Sequence, residues 1–489
     1  MLPLSNKTSQ HLQKIFAFLL GAISCFAFAP YYYFPLILIP FAGLLLLNKT
    51  QNTKSVIFFG FGFFFFGIHW ITIALNTFGQ MPYVGAILST ITLCIFLSLF
   101  FLPLNFYKNN IPSAIFVASS FTIFEWIRSF IFTGFPWLSL GYSQIPNGSL
   151  AGFLPILGIH GVSFLLILTV TLMLQCFTRN WYKNVTILII LLLIWVGGIF
   201  LKKINWTEPV GNPIKVSLIQ GNIDQSIKWD KSSIQLSLEK YLDLISKSNG
   251  ELIILPETSV PLVYQKIPQN FLLSLQEKIK VDGSKIILGA IYNENSNYYN
   301  SAIFLDDDKT RVYHKHHLVP FGEFIPLREF IGFIYDEWLQ IPFNDLSRGS
   351  EKQELFNFKN NQLAPNICYE DVFGNEIIRS LPNATILINI SNDAWYGKSN
   401  AAYQHLQISQ ARAIETGRMM LRATNTGATA IINNDGTVIS QLPHFTEGLL
   451  EGNAQGFKGL TPYAQYGNYL IIIISILGVL VGLRGKTKL

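Results

Sequence analysis

Eight long apolar runs constrain the fold of this chain more than any other feature of its sequence. They lie near residues 15–29, 32–47, 55–75, 84–107, 112–133, 152–177, 185–201 and 468–483. A membrane-spanning helix needs about 20 apolar residues, or somewhat fewer in an irregular span. We therefore predict a polytopic α-helical membrane domain with about eight transmembrane helices. Pro30 and Pro35 favour a break between the first two runs over one long kinked helix, because proline breaks or kinks a helix.

The acidic residues are concentrated in one part of the chain. Of 29 Asp+Glu residues, 28 lie between Glu208 and Glu451, and Glu125 is the exception. That span also holds 21 Lys+Arg and so carries a net charge of −7, whereas the rest of the chain carries +13. The positive charge lies beside apolar segments, which excludes a nucleic-acid-binding role as its explanation. We predict a membrane domain at 1–207, a polar domain at 208–455, and a C-terminal transmembrane helix with a basic tail at 456–489.

Lysine and arginine mark alternate connections between the apolar runs. One set of connections and ends holds Lys7, Lys14, Lys49, Lys54, Lys108, Arg179, Lys183, Arg484, Lys486 and Lys488. The connections 30–32, 76–83 and 134–150 hold none. By the positive-inside rule, both termini lie in the cytoplasm and the polar domain lies outside. Lys202 and Lys203 are exceptions, which a long exported domain can override.

Short β-rich runs alternate with helix-like stretches in the polar domain. The predicted strands are Val216–Gln220, Leu252–Leu255, Lys285–Ile291, Asn300–Leu305, Thr385–Ile390 and Thr429–Ile432, and the predicted helices include Ser233–Ser248, Asn270–Lys280 and Tyr403–Thr416. This alternation indicates a layered α/β or α+β fold with a central sheet.

Three reactive side chains follow apolar or β-rich segments of the polar domain. Glu257 comes just after Leu252–Leu255, Lys315 precedes Glu323 by eight residues, and Cys368 is the only cysteine of this domain. Strand ends are where open α/β folds place their sites. Glutamate can supply a base, cysteine a nucleophile, and lysine a charge for an oxyanion. A cysteine at a helix N-terminus beside a lysine would have a lowered pKa.

Each of these residues also has a structural interpretation. Free cysteines are usually small buried hydrophobes. Glu257 can be an acid at a helix N-terminus, Lys315 a solvated charge, and Glu323 and Glu370 partners in salt bridges.

Three histidines surround Lys315 in the sequence. His314, His316 and His317 resemble a metal-binding tract, but no cysteine or acidic ligand accompanies them nearby. We predict no metal site and assign no role to these histidines.

Taken together, the motifs resemble the nitrilase superfamily of carbon–nitrogen hydrolases, which place a Glu-Lys-Cys triad on a four-layer αββα sandwich. More narrowly, the chain resembles the bacterial apolipoprotein N-acyltransferases. The segments that carry this resemblance are Gln220–Ile223, Lys228–Asp230, Leu318–Pro326, Ser391–Gly397, Arg422–Asn425, Thr133–Leu138 and Gly141–Gln144.

The resemblance implies a role for several residues. Glu257 would be the general base, Lys315 the oxyanion stabiliser and Cys368 the nucleophile. The other implied roles are orientation of the triad by Glu323 and Glu370, shaping of the acyl pocket by Tyr369, and lining of the substrate region by Trp229 and Trp395. No cofactor and no metal would be required.

The resemblance also implies a reaction and its setting. A fatty acyl chain would pass from a phospholipid such as phosphatidylethanolamine to Cys368, and then to the α-amino group of a diacylglyceryl-modified N-terminal cysteine on an apolipoprotein. The protein would lie in a bacterial inner membrane, with its nitrilase-like domain facing the periplasm. We expect a monomer, because nothing in the sequence requires more than one copy.

Two further features suggest roles within this scheme. The apolar segment Phe324–Phe343 is either a lid over acyl chains or a loop packed on the domain, and lysine at both Phe333 and Ile334 would separate these possibilities through acylation activity. Glu125 and Arg128 lie three apart within an apolar run, and we predict that they form a structural ion pair.

Three alternatives remain open from the sequence alone. A membrane-tethered nitrilase-type amidase would use water as the acceptor, although a tether needs only one apolar run. A transporter or lipid-binding protein would need polar groups in several helices. A scaffold with an inactive triad would be insensitive to Cys368→Ala.

Overall fold

The described part of the chain forms two compact units. The computed structural model describes residues 6–48, 51–176, 180–307, 309–326, 328–329 and 345–484. The first unit is drawn from 1–72, 84–205 and 465–489, and the second from 73–83 and 206–464. The predicted limits of 1–207, 208–455 and 456–489 stay predictions, and most of Phe324–Phe343 lies outside the described residues.

Helices are found along the whole described chain. The longer ones, numbered in chain order, are α1 (Asn6–Ser24), α2 (Leu38–Leu47), α3 (Thr53–Ile68), α4 (Tyr83–Ser98), α5 (Ile111–Arg128), α6 (Leu154–Met173), α7 (Trp181–Leu201), α8 (Lys231–Lys247), α9 (Gln269–Asp282), α10 (Ala401–Thr416) and α11 (Tyr469–Arg484). Short turns of helix include Cys25–Ala27, Phe34–Ile37, Ile71–Ile73, Ala74–Phe78, Leu99–Phe106, Ile131–Thr133, Leu140–Gln144, Ser149–Phe153, Tyr264–Lys266, Cys368–Val372, Gly374–Ile377, Ile378–Ser380, Asp393–Tyr396 and Pro462–Tyr466.

The described residues contain fewer helices of full membrane-spanning length than the eight apolar runs predict. Among the described residues, 3 helical segments are long and apolar enough to cross a membrane, namely Tyr83–Phe106, Ser149–Met173 and Trp181–Leu201. A fourth is added if Thr53–Ile68 and Ile71–Phe78, bent by 57°, form one span. Other apolar runs give shorter helices, and the first ends at Ser24 before the Pro30 and Pro35 region, as predicted. The total of eight spans stays a prediction.

Glycines permit close helix packing in the first unit. A Cβ atom on Gly62 of α3 would lie 2.1 Å from the Phe18 carbonyl oxygen of α1. A Cβ atom on Gly198 of α7 would lie 2.2 Å from the Ser149 carbonyl oxygen. Interfaces between apolar helices are enriched in such small residues because their backbones can then approach closely.

Glu125 and Arg128 form the predicted ion pair, with 3.8 Å between Arg128 Nη2 and Glu125 Oε1. Arg128 also donates to the carbonyl oxygens of Phe135 and Trp137 at 2.7 Å each. Glu125 accepts from the Leu140 backbone N–H at 2.7 Å. The pair therefore supplies hydrogen-bond partners to backbone groups of the segment that follows α5, and holds that segment in place.

Two mixed sheets form the centre of the second unit. Their strands are β1 (Glu208–Gln220), β2 (Leu252–Ile254), β3 (Val260–Val263), β4 (Lys285–Glu294), β5 (Asn297–Leu305), β6 (Thr310–His314), β7 (Phe356–Phe358), β8 (Asn361–Ile367), β9 (Ile386–Ser391), β10 (Met419–Thr424), β11 (Ala430–Ile432), β12 (Val438–Gln441) and β13 (Gly448–Lys458). The seven-stranded sheet has the order β13-β1-β2-β4-β5-β6 with β3 beside β4, and the six-stranded sheet has the order β12-β11-β10-β9-β8-β7.

The buried side chains arrange this unit in four layers. One core joins the two sheets and includes Leu218, Ile254, Ile388 and Leu421. A second core packs α8 and α9 on the outer face of the seven-stranded sheet, and a third packs α10 on the six-stranded sheet. Apolar side chains on both faces of the central strands dictate such covering layers. The predicted αββα order and the six predicted strands are therefore confirmed, although β1 begins at Glu208 and not at Val216, and the other five strands shift by a few residues at their ends.

Candidate active site

Glu257, Lys315 and Cys368 come together from the ends of three strands. Glu257 follows β2 and Lys315 follows β6 of the seven-stranded sheet, whereas Cys368 directly follows β8 of the six-stranded sheet. Their exposed fractions are 6%, 1% and 7%. Packing of the two sheets thus brings a carboxylate, an ammonium group and a thiol into one buried site.

Lys315 lies between two carboxylates. Its Nζ atom is 3.4 Å from Glu257 Oε1 and 2.8 Å from Glu323 Oε2. Asn300 of β5 joins the same two side chains, because its Nδ2 atom donates to Glu257 Oε1 and to Glu323 Oε1 at 2.7 Å each. The Val319 backbone N–H donates to Glu323 Oε2 at 2.8 Å. The predicted partner Glu323 therefore contacts Lys315 directly.

The charges around Lys315 keep it protonated. Burial alone would lower the pKa of Lys315, but Glu323 and Glu257 outweigh it and the net shift is upward. A buried ammonium group paired in this way is a fixed positive charge in a site of low dielectric.

The thiol of Cys368 is neutral in the resting site. Burial raises its pKa well above the usual value, Glu257 raises it further, and Lys315 only partly offsets them. The expectation of a lowered pKa at a helix N-terminus is therefore wrong. The helix that begins at Cys368 is a 3₁₀ turn of 5 residues, so its dipole is small, and the site excludes the water that a thiolate needs.

Cys368 adopts a backbone conformation that its side chain disfavours. Its φ is 54°, in the left-handed region, where a residue other than glycine costs about 1 to 3 kcal/mol. Such a conformation persists only where neighbouring contacts hold it, and it is frequent in active sites that must position a reacting atom.

Glu370 links the two strand ends of the site. Its carboxylate accepts from the backbone N–H groups of Ile367 and His316 at 2.6 Å each, and from that of His317 at 3.1 Å. The Tyr313 hydroxyl donates to it at 3.0 Å. Burial raises the pKa of Glu370 to about 7. One carboxylate thus joins the segment of Lys315 to that of Cys368.

The three aromatic residues predicted around the substrate lie in different settings. Tyr369 is buried, and its ring centroid is 5.1 Å from that of Phe373. Trp229 is half-buried against a cluster that includes Leu318. Trp395 is half-buried with its ring 5.7 Å from that of Phe78. Their substrate contacts stay a prediction.

The three histidines do not converge on a common point. His314 Nδ1 lies 2.8 Å from Ser301 Oγ, and His317 Nδ1 lies 3.1 Å from Glu376 Oε1. His316 Nδ1 lies 2.8 Å from the Gly349 carbonyl oxygen. Within the described ranges, no group of at least 3 His, Cys, Asp or Glu residues is placed to hold a metal ion.

Two buried polar residues beside Glu257 were not singled out from the sequence. Asn300 lies in a predicted strand, where a polar residue at the start of an apolar run is the available signal. Lys228 donates to Thr258 Oγ1 at 2.8 Å, and burial lowers its pKa to about 8. Lys228 lies within a motif of the family resemblance, but nothing in that motif indicates that it is buried.

Both parts of the chain match family models. Residues 215–455 match the carbon–nitrogen hydrolase family, which agrees with the predicted nitrilase-like fold. Residues 20–172 match the apolipoprotein N-acyltransferase N-terminal domain.

Curated relatives match over almost the entire chain. The apolipoprotein N-acyltransferase of Nitrosomonas europaea is 41% identical over 98% of this chain and 99% of that protein. The chain belongs to the apolipoprotein N-acyltransferase family. The apolipoprotein N-acyltransferase of Chromobacterium violaceum is 36% identical over 96% of this chain and 94% of that protein. The predicted family is therefore confirmed.

Several solved structures are also similar to part of this chain. A carbon–nitrogen hydrolase superfamily protein from Xanthomonas campestris aligns with 50% of this chain and 91% of its own, at 16% identity and a TM-score of 0.38.

Proposed function

We propose that this protein is a phospholipid:apolipoprotein N-acyltransferase that works through a thioester on Cys368. The observation that carries the proposal is the match at 41% identity, over 98% of the chain, to a relative of that name. The buried cluster of Glu257, Lys315 and Cys368 supplies the groups that acyl transfer needs.

The first half-reaction forms the thioester. Glu257 takes the proton of the Cys368 thiol as the sulfur attacks the carbonyl carbon of a phospholipid ester, in particular the sn-1 ester of phosphatidylethanolamine. The Lys315 ammonium group stabilises the oxyanion. The ester C–O bond then breaks, and Glu257 returns the proton to the oxygen of the departing lysophospholipid. The raised pKa of Cys368 supports this use of a base, because the thiol is not ionised beforehand.

The second half-reaction releases the acyl chain. The acceptor is the α-amino group of an N-terminal S-diacylglyceryl cysteine on an apolipoprotein. Glu257 removes a proton from this amine as its nitrogen attacks the thioester carbon. The C–S bond breaks, Cys368 recovers its proton, and the lipoprotein gains an amide-linked third acyl chain. A ping-pong route of this kind divides one difficult exchange into two easier steps.

The surrounding residues have supporting roles in this proposal. Asn300 positions Glu257 through its hydrogen bond at 2.7 Å, and Glu323 positions Lys315 through the ion pair at 2.8 Å. Glu370 fixes the segments that carry Lys315 and Cys368. We assign the walls of the substrate region to Tyr369, Trp229 and Trp395. The chemistry of the proposed steps uses no metal and no cofactor.

The proposed setting is a bacterial inner membrane. Both substrates are anchored by acyl chains, and each buried CH₂ group is worth about 0.8 kcal/mol, so extraction into water would be prohibitive. We propose about eight transmembrane helices, the 208–455 domain on the periplasmic side, both termini in the cytoplasm and a monomeric enzyme. The distribution of lysine and arginine supports this orientation.

A membrane-tethered amidase is the alternative within enzymes. It would use the same three residues and transfer the acyl group to water. The match of residues 20–172 to the N-terminal domain of apolipoprotein N-acyltransferases favours acyl transfer, because a tethered amidase has no need of such a domain.

Intact-protein mass spectrometry tests the proposal. Purified protein is incubated with phosphatidylethanolamine and no acceptor. We expect a fatty-acyl mass addition that hydroxylamine removes, and that a diacylated lipopeptide discharges onto its own amine. The Cys368→Ala variant should gain no mass, and Lys315→Met should gain it at least about a hundredfold more slowly.

The control is Lys309→Met, because Lys309 is exposed and lies outside the site. Thermal unfolding in detergent shows whether each variant is folded. Folded wild type that gains no acyl mass and transfers no acyl chain would contradict the proposal, and release of free fatty acid alone would favour the hydrolase.

A further inference from the structure

Four charged side chains lie directly behind Cys368, and the proposed reaction does not use them. They are Asp371, Asp393, His405 and Arg422, and none is more than 2% exposed. They come from four segments of the second unit, namely the turn that begins at Cys368, the turn Asp393–Tyr396, α10 and β10. Ionised groups at such depth require partners.

The four side chains alternate in charge. His405 Nδ1 lies 2.8 Å from Asp393 Oδ1, and His405 Nε2 lies 2.9 Å from Asp371 Oδ1. Arg422 Nη2 lies 2.9 Å from Asp393 Oδ2, and Arg422 Nη1 lies 3.3 Å from Asp371 Oδ2. A carboxylate on each side of the ring requires both ring nitrogens to donate. The cluster is therefore neutral only when His405 is a cation.

The electrostatics of the described residues agree with this geometry. Burial and Arg422 would lower the pKa of His405, but Asp371 and Asp393 outweigh them and raise it to about 9. Burial would raise the pKa of Asp393, but His405 and Arg422 outweigh it, and the net shift is downward.

This cluster contacts the backbone of the nucleophile. His405 Nε2 lies 3.2 Å from the Cys368 carbonyl oxygen, and Asn389 Nδ2 donates to the same oxygen at 3.2 Å. Asn389 Oδ1 in turn accepts from Arg422 Nη1 at 2.7 Å. Two donors therefore fix the peptide group of a residue whose φ is 54°, and the direction of that peptide group determines where the thiol lies.

We propose that His405 is a positioning residue for acyl transfer: as a cation between Asp371 and Asp393, it donates to the Cys368 carbonyl oxygen and, with Asn389, holds the nucleophile in its left-handed conformation. In this proposal His405 acts through the backbone of Cys368 and not on the substrate or a reacting atom. The inference rests on the proposed function, because its effect is measured on the acyl-enzyme.

Two amide substitutions of His405 test the roles of its Nδ1 and Nε2 atoms separately. Glutamine places its amide near the Nε2 position and can still donate to Cys368, whereas asparagine places its amide near Nδ1 and can reach only Asp393. We expect His405→Asn to form the acyl-enzyme at least about tenfold more slowly than His405→Gln, since small displacements of a reacting group have large effects on rate. The lipid concentration at half-maximal rate should be the same in both.

A second variant and a pH profile keep the test independent of the folding of His405→Asn. Asn389→Asp retains the acceptor for Arg422 but removes the donor to Cys368, so it should also form the acyl-enzyme at least about tenfold more slowly than wild type. In wild type, the rate of thioester formation without acceptor should fall as the pH rises through about 9, because neutral His405 cannot donate on both sides. His405→Gln, which does not titrate, should lack this loss.

These outcomes separate the two proposals. If wild type forms no thioester, the proposed function fails. If wild type forms it, but Asn389→Asp matches the wild-type rate and the alkaline loss persists in His405→Gln, the positioning role of His405 is wrong and the proposed function stands.

Discussion

At the scale of single residues, Glu370 connects two parts of the site that follow strands of different sheets. Its carboxylate receives backbone N–H groups from both the Lys315 and the Cys368 segments. Because a carboxylate offers several acceptor positions in one plane, one side chain can bind two strand ends that belong to different sheets. A neutral amide of the same shape would present a donor to some of these N–H groups.

The raised pKa of Glu370 predicts a dependence of stability on pH. Its folded-state pKa is about 7, against a usual value of 4.5, so the folded state binds the proton more tightly than the unfolded state. This contribution is present below about pH 4.5 and is lost as the pH rises through about 7, with a total of up to about 3 kcal/mol.

Thermal unfolding midpoints measured between pH 4.5 and 8 check this prediction. The wild-type midpoint should fall across this window relative to that of Glu370→Gln, whose side chain does not titrate. Glu351→Gln alters an exposed carboxyl and should follow the wild type. Parallel curves for wild type and Glu370→Gln would show that Glu370 has no such role.

At the scale of elements, α7 packs through one face only. Only 11% of the most apolar 18-residue part of this helix is buried. The two buried residues of the helix are Ile187 and Gly198. A Cβ atom on Gly198 would meet the Ser149 carbonyl oxygen at 2.2 Å, whereas one on Gly197 would be 3.8 Å from the nearest atom, Phe153 Cζ. Adjacent glycines of one helix thus have different environments.

We predict that Gly198→Ala and Gly197→Ala differ in stability. Gly198→Ala forces a backbone displacement and should destabilise the protein by about 1 to 3 kcal/mol. Gly197→Ala gains helix propensity and meets only ordinary contact, so its stability should equal or exceed that of wild type. Thermal unfolding of both variants in the same detergent is the measurement, and equal midpoints would refute the close packing of α7.

The strands that were predicted differ in kind from those that were missed. β4 and β5 are largely apolar runs, so their sequences alone indicate strands. β8 contains Pro365 and Asn366, and β10 contains Arg422, which is fully buried. Pro365, Asn366 and Arg422 interrupt the apolar pattern. The partners of the two polar residues come from other segments, as when Asn389 donates to Asn366 Oδ1 at 2.7 Å. Tertiary pairing therefore determines strands that local sequence does not indicate.

The same limit explains which site residues were predicted. Glu257, Lys315 and Cys368 belong to motifs that the family resemblance identifies. Asn300 reaches Lys315 through the pairing of β5 with β6, and His405 reaches Cys368 through the packing of α10 on the six-stranded sheet. The separation of residues along a sequence carries no information about such distances.

At the scale of the whole molecule, the proposed orientation can be tested with single cysteines. Lys54 and Lys352 are both exposed, but Lys54 is predicted to lie in the cytoplasm and Lys352 in the periplasm. A maleimide that cannot cross the inner membrane should label K352C in intact cells, and should label K54C only after permeabilisation. The unsubstituted protein measures labelling of its native cysteines, and labelling of K54C in intact cells would reverse the orientation.

The strand order of the seven-stranded sheet has a consequence for biosynthesis. β1, the first strand of the second unit, pairs with β13, the last strand described in that unit, with one irregularity between Val210 and Ile214. Until β13 arrives, one side of β1 presents unpaired backbone groups, which are prone to associate with other chains. During its synthesis the growing polypeptide therefore carries an unpaired strand edge that only β13 covers. If synthesis stops before β13, that edge of β1 stays unpaired. The incomplete chain is then inactive and also prone to aggregate with other polypeptides.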